Sequence, residues 1–228
     1  MDLSVRNFAV VEIFGIEIWI TETLRNAWIV SAVLIVIALI VRFKLTTYTD
    51  SPKGLQNVVE LIVESFDRFV RNSAGERLAY LGHWFFTVFA FILFSNLSGI
   101  VMRPPTADWA VTFALAFATF ILIQYAGIRY DPKGYVKGLM RPIFLFLPIN
   151  IIGEFARPVS LSFRLFGNVL GGAILVGLLY NVAPVFTRFA VPIPLHIYFD
   201  IIMGILQTYI FTVLSLSFIG LMAGTTKQ

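Results

Sequence analysis

IFLFLPINIIGEFARPVSLSFRLFGNVLGGAILVGLLYNV, residues 143–182, is a long apolar run that carries Glu154, Arg157 and Arg164. Arg164 sits near its middle, in Ser160-Leu161-Ser162-Phe163-Arg164-Leu165-Phe166-Gly167-Asn168. A charge at the centre of a membrane helix costs about 2.5–3.5 kcal/mol on insertion scales. Arginine cannot escape that cost by losing a proton, because its pKa lies above about 12. Such a cation calls for an acidic partner, and that partner need not be on the same chain. As one helix the run spans about 60 Å, twice the hydrocarbon thickness of a bilayer. Either it folds as two passes with a turn near Gly153 and Pro158, or it is one helix lying steeply tilted or nearly flat. A turn would bring Glu154 and Arg157 to the surface but leave Arg164 inside.

Composition supports the bilayer. The chain has 228 residues, is 58% hydrophobic and 13% charged, and has mean hydropathy +0.86. Soluble domains carry about 25% charged residues. The net charge of +4 is spread over short loops and does not point to nucleic acid. With no cysteine, disulfide scaffolds and thiolate metal sites are excluded. The N-terminus lacks the pattern of a cleavable signal peptide, so none is expected.

The remaining spans follow from apolar runs about 20 residues long. The first is 24–43. A helical hairpin covers 84–128, with the Arg103-Pro104-Pro105-Thr106-Ala107-Asp108 turn inside it. Trp28, Trp84 and Trp109 each mark a start, as interfacial aromatic residues do. The long stretches 139–182 and 192–224 complete about five membrane-embedded helices. Segment 52–72 differs. Leu55, Val58, Val59, Ile62, Phe66, Phe69 and Val70 repeat at helical spacing, and Gln56, Glu60, Glu64, Asp67, Arg68 and Arg71 take the other face. This is a surface amphipathic helix, with Ser51 and Pro52 as cap and first turn. The fold class is therefore an all-α integral membrane protein forming one membrane domain.

Basic residues set the orientation. Loop 42–83 carries Arg42, Lys44, Lys53, Arg68, Arg71 and Arg77; loop 129–142 carries Arg129, Lys133, Lys137 and Arg141. The intervening loops hold Arg103 and Arg188. The positive-inside rule puts the rich loops in the cytoplasm, the N-terminus outside and the C-terminus inside.

Two polar stripes remain in the apolar helices. Glu154, Arg157, Leu161, Arg164 and Asn168 fall on one helical face, with Ser160 one turn before Arg164. Gly167, Gly171 and Gly172 form a small-residue patch where another helix can approach. His196, Asp200, Met203 and Gln207 make the second stripe. A carboxylate in lipid must be paired, hydrated or protonated. An internal Arg164–Asp200 salt bridge is the structural alternative to a functional role.

At this point the residues resemble a known family. The run from Arg157 to Asn168 resembles the signature of subunit a of bacterial F-type ATP synthases. Ile205-Leu206-Gln207-Thr208-Tyr209-Ile210-Phe211-Thr212-Val213-Leu214 is similar to that family's C-terminal helix, and Ile20-Thr21-Glu22-Thr23 with Trp28-Ile29-Val30 to its bacterial members. The resemblance implies two long tilted helices facing a ring of c subunits, each with a buried carboxylate. It implies two offset half-channels passing H+ or Na+, with Arg164 as the essential charge facing the ring carboxylate. It carries over Asn168 and Gln207 as half-channel residues and places Asp200 in the outer half-channel. Many relatives have an ionisable residue where this chain has Ala173. Glu154 is matched to the cytoplasmic half-channel, and Ser160 and His196 join the ion-translocation set. Further partners implied are the b-subunit stator stalk, the remaining ATP synthase subunits and the lipid of a bacterial cytoplasmic membrane.

Other classes fit less well. A secondary ion-coupled transporter with an Arg/Asp site would often show inverted repeats, and none is convincing here. A metalloenzyme needs clustered ligands, whereas His83 and His196 are far apart. No phosphate loop occurs, so ATP chemistry belongs to other chains, and no cofactor is expected.

Overall fold

The computed structural model describes residues 7–13, 16–45, 54–140, 143–182 and 192–224. The chain opens with an antiparallel hairpin, β1 (Asn7–Ile13) and β2 (Ile16–Thr21), which the sequence reading had left unassigned. Helix α1 (Glu22–Lys44) follows, capped by the Thr21 hydroxyl, which accepts from the Leu24 amide at 3.2 Å. Then come α2 (Leu55–Ala74), α3 (Gly82–Leu97), α4 (Trp109–Tyr130) and the short α5 (Pro132–Leu139). Helix α6 is a single element from Leu147 to Val182, without a turn at Gly153, and has Pro158 inside it. Its 36 residues extend about 54 Å. Helix α7 (Pro192–His196) enters a π-helical turn, Ile197–Ile202, and continues as α8 (Met203–Met222).

Among the described residues, five helical segments are long and apolar enough to cross a membrane, which makes the chain a multi-pass, all-α membrane protein. The α3–α4 turn is pinned to the start of α1. Asp108 caps α4 by accepting from the Ala110 amide at 2.9 Å, and its other oxygen accepts from the Thr23 hydroxyl at 2.7 Å. The Asn26 amide donates to the Arg103 carbonyl at 2.8 Å.

Two apolar clusters hold the bundle. One joins Val70 and Ala74 of α2 to Phe85, Ile123, Leu216 and Ile219. The other joins Val88 and Ile92 of α3, Ala116 of α4, Leu161 and Leu165 of α6, and Phe211 of α8. Only the second half of α2 enters the core; Leu55, Val58 and Ile62 remain exposed. The expected cap residues Ser51 and Pro52 lie outside the described residues, and α2 begins behind Gly54, whose φ of 61° suits glycine. Gln56, placed on the polar face by periodicity, is instead buried and donates to Glu60 at 2.7 Å.

Candidate functional site

Arg164 lies between two buried leucines in sequence. Leu161 and Leu165 are 4% and 0% exposed in the second apolar cluster, while Arg164 is exposed at the edge of that buried face of α6. Ser160, Phe163 and Gly167 are exposed as well. Arg164 makes no side-chain hydrogen bond or ion pair with another described residue. The glycine patch divides accordingly. A Cβ at Gly167 or Gly171 would meet no atom within 4 Å, whereas one at Gly172 would lie 2.9 Å from the Phe199 Cβ. Gly172 thus serves contact within the chain, and Gly167 and Gly171 leave a shallow, open face beside the cation.

Asp200 does not pair with Arg164. Its Oδ2 is 2.7 Å from His196 Nδ1, one turn away, and its Oδ1 would be 3.3 Å from a Cβ on Gly99. The internal salt bridge considered from the sequence is therefore replaced by a carboxylate–imidazole pair, with side chains 22% and 43% exposed. His196 precedes the π-helical turn and Asp200 lies within it, an element frequent at functional sites. An i→i+5 turn holds one residue more than an α-turn, so simple 3.6-residue spacing fails across it. Accordingly the expected stripe divides: His196 and Asp200 are partly exposed, while Gln207 is buried. Gln207 is 5% exposed, and its Nε2 has no hydrogen-bond partner among the described residues. Asn168 joins the two long helices, its amide donating to the Met203 carbonyl at 3.3 Å.

Sequence reasoning missed Asn96. This buried amide of α3 donates to the Gly204 carbonyl at 3.1 Å and to the Thr208 hydroxyl at 3.3 Å, and accepts from Thr106 at 2.8 Å. An asparagine at the end of the apolar run 84–101 was the available clue, because a buried amide needs partners.

Glu154 and Arg157 form a third centre. Because α6 runs unbroken, Glu154 is not delivered to a surface turn but is 8% exposed. Its carboxylate accepts from Arg157 Nη1 at 2.9 Å and from Gln124 Nε2 at 3.3 Å. Gln124 in turn accepts from the Tyr135 hydroxyl at 2.7 Å. The Arg157 guanidinium also lies 4.9 Å over the Phe218 ring, a cation–π contact. Burial, and secondarily the Glu154 charge, pushes the Tyr135 phenol above its usual pKa, so it remains a donor. The expected single face of α6 is thus two environments: Glu154 turned inward near one end and Arg164 outward near the middle.

Comparison with known proteins follows the same lines. The family model for the ATP synthase A chain matches residues 26–220. An ATP synthase subunit a from Moorella thermoacetica is 35% identical over 213 residues, covering 92% of this chain and 94% of the relative. A chloroplastic subunit a from Stigeoclonium helveticum is 34% identical, covering 92% and 87%. A subunit a described as sodium ion specific, from Propionigenium modestum, is 33% identical, covering 88% and 73%. The membrane helices, the arginine motif on α6 and these likenesses over nearly the whole length place the chain in the ATP synthase A chain family, a membrane-embedded and non-catalytic component of the synthase.

Proposed function

We propose that this chain is the ion-translocating stator subunit of a rotary ATP synthase in a bacterial cytoplasmic membrane. Two offset half-channels pass H+ or Na+ to and from the carboxylates of a c-subunit ring. The b-subunit stalk holds the chain still while the ring turns. The N-terminus is outside and the C-terminus cytoplasmic, and α6 and α8 lie tilted against the ring.

One observation carries this reading: Arg164 is exposed on an apolar helix with no acidic partner among the described residues. A permanent cation facing lipid is costly, so its counter-charge comes from a neighbouring chain. The open face at Gly167 and Gly171 admits a helix close to it. Arg164 attracts the ring carboxylate, favours its loss of an ion and blocks a direct path between the half-channels. Asp200, with His196, serves the outer half-channel; Asn168 and Gln207 line the route toward Arg164; Glu154 serves the cytoplasmic one; Ser160 sits beside the arginine on the ring side.

The test is Arg164→Ala in the assembled complex. Ion-driven ATP synthesis and coupled pumping are lost while assembly persists. Arg164→Lys fails or nearly fails as well, because a point ammonium cannot copy the guanidinium fork. Normal coupled synthesis by the alanine variant would refute the role.

A further inference from the structure

Between α5, α6 and the end of α8 lies a cavity of about 730 Å³. Asp131, Tyr135 and Lys137 face it from the α5 side, and Glu154 and Arg157 from α6. Helix α8 contributes Leu221 and Met222, neither of which titrates. The Glu154–Arg157 ion pair and the charges of Asp131 and Lys137 make this a place for water and ions rather than for an apolar ligand.

A second, separate void of about 10 Å³ touches the same two residues. Glu154 and Arg157 line both, and the rest of the smaller one is apolar, formed by Ala116, Phe120, Ile123, Pro158, Leu161 and Phe218. That volume is close to the room one water needs. Pro158 has no N–H, so the Glu154 carbonyl, four residues earlier, lacks its helical partner and stays available as an acceptor. The smaller void reaches Leu161 on the core side of α6.

We propose that Tyr135 and Gln124 are positioning residues that hold Glu154 on the wall of the larger cavity. The inference rests on the half-channel reading above. The hydrogen bonds run in one direction. The phenol donates to the Gln124 carbonyl oxygen, which fixes the amide so that its N–H₂ faces Glu154. Arg157 Nη1 donates from the other side, and its guanidinium is itself held over Phe218. Glu154 is thereby kept beside both spaces in one orientation. An apolar residue at 124 or 135 would fill the same volume and would leave the carboxylate free to swing away.

The experiment uses the whole complex in sealed vesicles, with ATP synthesis driven by an imposed gradient and the pH set separately on each side. Tyr135→Phe slows turnover about tenfold, the effect of loosening one charge-assisted contact, and changes the response to pH on the α5 side only. Glu154→Gln does the same. The double variant is no slower than Glu154→Gln alone, because both changes act through one group. Additive losses with an unshifted pH response, or wild-type turnover in Tyr135→Phe, overturn the proposal. Gln124→Met is the second probe and must repeat the pattern; if neither variant assembles, the cluster is structural and the proposal fails. Coupled synthesis surviving Arg164→Ala would instead remove the half-channel reading itself. An inactive Arg164→Ala beside a fully normal Tyr135→Phe removes only the positioning role.

Discussion

Gly172 of α6 and Phe199 of the π-helical turn touch so closely that a methyl group on the glycine would sit 2.9 Å from the Phe199 Cβ and 3.0 Å from its Cγ. This contact sets how near α6 can lie to the turn that carries Asp200. It also separates two kinds of glycine on one helix.

Gly172→Ala overpacks that contact and lowers the chain's own stability by about 1–3 kcal/mol. Gly171→Ala, with nothing within 4 Å of the new carbon, does not lower that stability and raises it by up to about 1 kcal/mol. If the open face receives the ring, Gly171→Ala lowers coupled synthesis while Gly172→Ala lowers thermal resistance. Thermal unfolding in detergent, set beside ATP synthesis in vesicles, distinguishes them. Equal melting temperatures for both variants would contradict the close contact.

Ala173 and Asp200 each follow one member of this touching pair in sequence. Asp200→Asn slows turnover strongly without preventing assembly, and Asp200→Glu retains much of it. Moving the carboxylate, as Asp200→Gly with Ala173→Glu, restores part of the lost rate. The membrane potential supplies about 2.3 kcal/mol per charge per 100 mV, usable only through a hydrated path. An assembled Asp200→Asn complex with unchanged turnover at every pH would end the relay role.

Asn96 holds three elements at once, α3, the Thr106 turn and α8. Asn96→Leu leaves the Gly204 carbonyl and the Thr106 hydroxyl without those bonds. The expected loss is about 1–2 kcal/mol, at the upper end for interhelical bonds in membranes. The melting temperature of the purified chain reads this directly, and no change would show the network to be dispensable.

Orientation is testable by cysteine labelling with an impermeant thiol reagent. Cysteines at Asn57 and Lys133 react only from the cytoplasm, and one at Ala107 only from outside. Gly134 is a poor choice, because a Cβ there would lie 1.9 Å from Asp131 Oδ2. Labelling of Ala107 from the cytoplasm would invert the topology.

The apolar runs and the Arg164 motif were legible because a bilayer demands them: length, hydropathy and a fixed charge are local properties. Contacts between distant residues were not. Tyr135 meets Gln124 from 11 positions away, and Gln124 meets Glu154 from 30, so no local pattern joins them. Asn96 reaches Thr208 across 112 positions. The sequence allowed two passes or one for 143–182, and only tertiary packing through Leu161 and Leu165 selects the unbroken helix. The hairpin at Asn7–Thr21 was a pattern passed over: Ile16, Ile18 and Ile20 alternate with Glu17 and Trp19.

The π-helical turn has a genetic consequence. Deleting one residue within 197–202 would let this stretch relax into an ordinary α-helix with better-bonded backbone. Every residue on the N-terminal side of the cut would then rotate by about 100° relative to Gln207 and move along the axis by about 1.5 Å. His196 and Asp200 would keep their mutual spacing if the cut fell after Asp200, yet leave the place beside Gly99 together. A shorter chain would thus gain a more regular helix and misaim the carboxylate. The extra residue is a built-in frame shift in three dimensions, and its removal trades local order against the site's alignment.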